Sequence, residues 1–178
     1  MDLRALGSIW SKRPRILHPK AQSTVNAIAA LLAAEDILLD LDAADRSELF
    51  EVVGWHMQQK HAMPQDWVAQ SLMRRERLGS TGLGEGVAIP HARVKNLDHI
   101  QVAYARLKTP IAFQSPDGKP VSNVLFLLVP KQATEEHLKI LAVASEMFSD
   151  KRFRDRLRAC GDAAEVKQAF DAWPDAAA

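Results

Sequence analysis

The sequence predicts an α/β fold in which helices are layered on one β-sheet. Three observations carry this: four apolar stretches of strand length at 36–40, 87–89, 100–107 and 121–129, helical-period stretches interleaved with them, and capping residues at the helix starts. The 178 residues, 47% of them hydrophobic, are enough for one well-cored domain with an extension, and too few for two comfortable domains.

From Ser23 the spacing of Val25, Ile28, Ala29 and Leu32 gives a short apolar helical stripe, and 36–40 then reads as a strand. Asp45 followed by Glu48 has the form of a capping box, opening a helix with Leu49, Val52, Val53 and Met57 on one side. Pro64 suits the first turn of the next helix, which runs through Trp67, Val68 and Leu72 to about Arg77. Val87, Ala88 and Ile89 form a short β-favouring segment that stops at Pro90. The run 121–129 is so continuously apolar that it is expected at the centre of the sheet, covered on both faces. Thr134 is the expected cap of a helix bearing Leu138, Leu141, Ala142, Ser145 and Phe148; Asp150 caps another, and Asp162 with Glu165 a last one to about Phe170.

Charge narrows the function. With 23 basic and 22 acidic residues there is no bulk electrostatic case for a nucleic-acid binder. One cysteine, Cys160, allows neither an internal disulfide nor a cysteine zinc clasp, and a reducing compartment is expected. No stretch is apolar for long enough to enter a membrane, and the first 20 residues lack the centre of a signal peptide, so a cytoplasmic location is expected. Those first 20 residues hold Arg4, Lys12, Arg13, Arg15 and Lys20 against Asp2 alone, and read as a basic extended arm.

The chemistry concentrates near residue 80. Gly79, Gly82, Gly84 and Gly86 fall within eight consecutive positions, beside the hydroxyls of Ser80 and Thr81 and after Arg75. Glycines at that density permit positive φ and close backbone approach, so the segment reads either as an anion cradle or as a glycine-rich surface turn. A dinucleotide fingerprint fails, because its third glycine would fall at Val87. His91 follows the short strand and is held by Pro90, as a base, a ligand or a nucleophile would be. His137, third in its helix if Thr134 is the cap, would meet free backbone N–H groups and the positive dipole end. His56 and His61, five apart on a helix, do not share a face and are expected at the surface. The basic run 151–158 is expected as a helix with Phe153 and Leu157 inward and its arginines in solvent.

The stretch from Gly79 to His91, with Arg75 before it and 134–141 after it, resembles the enzyme IIA domain of the fructose/mannitol type from the bacterial phosphoenolpyruvate-dependent phosphotransferase system. Within that family it is most similar to the stand-alone nitrogen-regulatory enzyme IIA. The resemblance runs from about Ile37 to Phe170 and implies the family's mixed β-sheet flanked by helices. It makes His91 the phosphorylated histidine, Arg75 an active-site arginine and His137 a second active-site histidine, with Ser80 near the phosphate and Glu85 at the place of a carboxylate that could orient the ring. Ala92 departs from the family, whose members often carry glycine after the histidine.

What the resemblance implies for function is a carrier that takes a phosphoryl group on His91 from a histidine-phosphorylated carrier protein, HPr or its nitrogen-branch homologue, and regulates metabolism through its phosphorylation state. The alternatives are a sugar-specific enzyme IIA that hands the phosphate to a fructose or mannitol IIB domain, and a non-catalytic interaction module. No metal, nucleotide cofactor, nucleic acid or membrane insertion is implied. The expected organisation is a basic arm at 1–20, a helical lead-in at 21–35, the enzyme IIA domain at 36–172 and a tail at 173–178.

Overall fold

The computed structural model describes residues 26–132 and 135–174, so the basic arm, Ser23, Val25 and the expected cap Thr134 lie outside the described residues. The chain begins with α1 (Ala27–Leu31), whose cap Asn26 accepts from the Ala29 N–H at 2.8 Å and donates its amide to the Phe170 carbonyl. That bond, with Ile28 and Leu32 in the core, packs α1 against the rest of the described chain. A 3₁₀ turn (Ala34–Asp36) delivers β1 (Ile37–Leu41). Helices α2 (Arg46–His61) and α3 (Gln65–Arg77) follow. Asp45 accepts from the Glu48 N–H, and the Glu48 carboxylate returns to accept from Ala44 N–H, one residue ahead of the reciprocal bond of a capping box.

Three short strands come next, β2 (Gly82–Gly84), β3 (Val87–Ala88) and β4 (His91–Val94), then the long β5 (Gln101–Ile111) and β6 (Val121–Pro130). Helices α4 (Glu136–Ser149), α5 (Lys151–Ala159) and α6 (Ala163–Asp171) complete the described chain. Asp150 and Asp162 cap α5 and α6, as their spacing predicts.

The sheet is mixed. Its order is β1-β5-β6-β3-β2, with β4 also on β6; β1 runs parallel to β5, β5 antiparallel to β6, and β3 and β4 parallel to β6. Central β6 alternates: Leu125, Leu127 and Val129 enter a core shared with α1, α4, α5 and α6, while Val124, Phe126 and Leu128 enter one shared with α2 and α3. Edge-on aromatic contacts fill both sides, Phe50 against Phe113 and Phe126 on one, and Phe170 against Tyr104, Phe148 and Phe153 on the other.

Three expectations change. The inward stripe of α4 is Ile140, Ala144, Met147 and Phe148, whereas Leu138 is exposed and Leu141 only half-buried. The helix starts at Glu136, so His137 is its second residue rather than its third. Arg154 is buried rather than solvated: its Nη1 donates to the carbonyls of Phe148 and Ser149 at 2.8 Å, closing the end of α4.

Candidate functional site

The glycine cluster is a β-hairpin. Gly84 pairs with Val87 across a two-residue turn in which Glu85 (φ 53°) and Gly86 (φ 78°) both take positive φ, the pattern of a type I′ turn. Gly82 is needed for a different reason, since a Cβ there would stand 2.5 Å from Ser115 Oγ. The amides of Thr81, Gly82 and Glu85 donate to Glu76, Ser80 Oγ and Asp117, so these three are engaged within the fold rather than turned to an anion.

Its hydroxyls are spent as well. Thr81 Oγ1 donates to Glu76 Oε2 at 2.6 Å, and Ser80 Oγ donates to the Phe113 carbonyl while accepting from Gly82 N–H. As placed, neither offers a proton to a bound anion. Glu76, which the sequence reading did not single out, is a buried carboxylate that also accepts from Thr81 N–H and from Arg46 Nη1. It ties the last turn of α3 to the hairpin, and so fixes the base of the Arg75 side chain.

His91 gains its position from a break in pairing. β3 pairs with Asn123 and Val124 of β6, β4 with Leu127 to Pro130, and Ile89 and Pro90 lie between them. Pro90 has no N–H to contribute, but its carbonyl accepts from Leu127 N–H, and His91 restarts the strand at the mouth of a pocket. The ring's Nδ1 lies 2.9 Å from the Ile89 carbonyl, and its Nε2 lies 3.1 Å from Arg75 Nε. A carbonyl only accepts and a guanidinium only donates, so Nδ1 carries the hydrogen and the Nε2 lone pair faces outward. Arg75 is steadied by donating Nη1 to the Gly79 carbonyl at 3.0 Å.

The pocket encloses about 430 Å³ and is lined by Arg75, His91, Leu78, Leu127, His137 and Leu141, among others. His137 brings a buried Nδ1 with no hydrogen-bond partner. Burial holds the His91 pKa below the usual 6.5; the Ile89 bond opposes this, Arg75 and His137 reinforce it, and Glu76 opposes it weakly. The imidazole is therefore neutral at pH 7.

Three of the expected site residues, Arg75, His91 and His137, thus meet in one pocket, while Ser80 lies beside it with its hydroxyl engaged. Glu85 lies apart, at the exposed hairpin tip, accepting from Lys119 Nζ at 2.9 Å with Arg154 at 3.9 Å. The group that sets the ring's tautomer is the Ile89 carbonyl, which no residue-type pattern could reveal because every residue has one. His56 is buried and His61 half-buried rather than both at the surface: their rings converge on the buried carboxylate of Asp36.

Residues 30–173 match the family described as "Phosphoenolpyruvate-dependent sugar phosphotransferase system, EIIA 2". The chain is similar to the "Nitrogen regulatory protein" of Bradyrhizobium diazoefficiens, at 36% identity over 139 residues, 78% of this chain and 91% of the relative. It superposes on the crystal structure of "Nitrogen Regulatory Protein IIA-Ntr" from Neisseria meningitidis with a TM-score of 0.77 and 39% identity, covering 82% of this chain and 99% of that one. The IIA subunit in a complex of IIAMTL with phosphorylated IIBMTL from Escherichia coli shares the fold, at TM-score 0.66 and 21% identity, covering 79% and 98%.

Proposed function

Because the chain belongs to the EIIA 2 family of the phosphoenolpyruvate-dependent sugar phosphotransferase system, we propose that it is a phosphoryl carrier whose Nε2 of His91 accepts the group and whose phosphorylation state regulates nitrogen metabolism. The observation that carries the reading is the pair of bonds on the His91 ring, Nδ1–H to the Ile89 carbonyl and Arg75 Nε–H to the Nε2 lone pair. A nucleophile of this kind needs no base, because the attacking nitrogen is already bare.

The transfer follows from these atoms. His91 Nε2 approaches phosphorus in line with the N–P bond of a phosphohistidine on the donor carrier, HPr or its nitrogen-branch homologue. The new N–P bond forms as the old one breaks, and the donor imidazole leaves with its electron pair. Positive charge grows on the His91 ring, where the Ile89 carbonyl accepts the Nδ1 hydrogen and stabilises it. Negative charge on the equatorial oxygens faces the Arg75 guanidinium and His137, which line the same pocket as His91. The apolar Leu78, Leu83 and Leu138, all exposed, suit docking of a protein donor rather than a small one.

A regulatory output is favoured over delivery to a sugar IIB domain because the nitrogen-regulatory proteins of Bradyrhizobium diazoefficiens and Neisseria meningitidis are 36% and 39% identical to the chain and the mannitol subunit 21%. Incubation with phosphoenolpyruvate, enzyme I and the donor carrier, followed by intact-mass measurement, tests the reading. One phosphate is expected on the wild type and none on His91→Ala. A wild type that stays unmodified beside an active carrier overturns it.

A further inference from the structure

Among the described residues, a group of ligating side chains outside the His91 pocket lies at the other edge of the sheet. β1 is separated from β4 by β5 and β6, three strand spacings or about 14 Å. Asp36, the residue just before β1, has its carboxylate buried with 1% of its surface exposed. His56 approaches it from within α2, and His61 from the last residue of the same helix. The Nε2 atoms of both rings lie 2.8 Å from a single oxygen, Asp36 Oδ1, and the three donor atoms lie within 4.8 Å of one another.

We propose that Asp36 Oδ1, His56 Nε2 and His61 Nε2 form a binding site for one divalent cation of the zinc class, with water completing the coordination. Two imidazoles and a carboxylate are a donor set suited to Zn²⁺, and three protein ligands with an open position are a common arrangement for it. Tetrahedral bonds to zinc place neighbouring ligand atoms about 3.3 Å apart, so each ring must withdraw by about 0.5 Å from its present contact. His61 has the freedom to do so: it ends α2, is partly exposed, and is followed by Ala62 in the left-handed conformation (φ 53°).

The Asp36 carboxylate accepts, so in the metal-free arrangement each ring presents an Nε2–H to Oδ1. On binding, each ring turns its Nε2 lone pair to the ion and carries its remaining hydrogen on Nδ1. The His91 pocket is a poor competitor for a dication, because the Arg75 guanidinium already faces the His91 lone pair at 3.1 Å. A bound ion would pin the start of β1 to the end of α2, and it does so whether or not the chain carries phosphate.

The test is calorimetric titration of Zn²⁺ into the full chain, with Co²⁺ as a spectroscopic probe read by its visible absorption. One equivalent is expected for the wild type and equally for His91→Ala. His61→Gln, a change at a partly exposed helix end that the fold tolerates, is expected to lower affinity by at least about 100-fold, and Asp36→Asn likewise. Zn²⁺ is also expected to raise the Tm of the wild type and not that of His61→Gln, since the ion binds only the folded arrangement. Absence of binding to the wild type, undiminished binding to His61→Gln, or loss of binding in His91→Ala each overturns the proposal.

Discussion

Arg75 holds its Nε hydrogen against the Nε2 lone pair of His91 at 3.1 Å, so the resting imidazole is bonded to a cation rather than to a base. Burial, reinforced by this contact, disfavours the protonated ring and keeps the nucleophilic nitrogen free of a proton. In the proposed transfer phosphorus takes that lone pair, which would release the Nε hydrogen of Arg75 to a phosphate oxygen while Nη1 keeps the Gly79 carbonyl.

Replacing Arg75 by alanine should therefore slow phosphoryl uptake by about 10²–10³-fold, the usual consequence of deleting one preorganised donor from a charge-stabilising site. Its bonds are to His91 and to one exposed carbonyl, so the melting temperature should hardly change. Rapid-quench transfer rates and a thermal melt check both parts; an unchanged rate would remove Arg75 from the site.

His91 should titrate below 6.5, because burial and the Arg75 and His137 charges disfavour its protonated form. Between the folded and unfolded pKa values the unfolded chain binds more protons, so stability rises with pH across that window. The contribution is complete above about 6.5 and is lost as pH falls through the folded value. Imidazole NMR reads both the midpoint and the tautomer, with the hydrogen expected on Nδ1.

Thr81→Val removes the hydroxyl that donates to Glu76 Oε2 inside the buried Arg46–Glu76–Thr81 cluster. Losing a buried bond to a charged acceptor costs about 1.5–3 kcal/mol. Urea denaturation should show a lower midpoint with an unchanged slope.

Glu85→Gln should leave phosphoryl uptake within about twofold of the wild type, since this carboxylate is 56% exposed and pairs with Lys119 at the hairpin tip. A loss of ten-fold or more in single-turnover transfer would restore Glu85 to the site as a ring-orienting residue.

Much of the fold was legible before any coordinates. Asp45, Asp150 and Asp162 announced three helix starts through local side-chain bonds, and the apolar run ending at Pro130 announced the central strand, because both signals act over a few residues. Strands β2 and β4 were not legible: one is mostly glycine and the other begins with His91, and each is a strand only because β3 or β6 lies beside it to complete its hydrogen bonds. Arg154 read as a solvated charge for a similar reason, since the carbonyls it caps belong to another helix.

The sequence by itself determined which side chains could serve a phosphohistidine site, because Arg75, His91 and His137 are set by residue type and motif. Only the tertiary structure decided what each can do. It engaged the hydroxyls of Ser80 and Thr81 with Phe113 and Glu76, moved Glu85 to a hairpin tip, and selected Nε2 as the free nitrogen of His91 by placing the Ile89 carbonyl against Nδ1. It also joined Asp36, His56 and His61. A hydrogen bond depends on distance and direction between groups that the chain brings together only on folding, and residue type records neither.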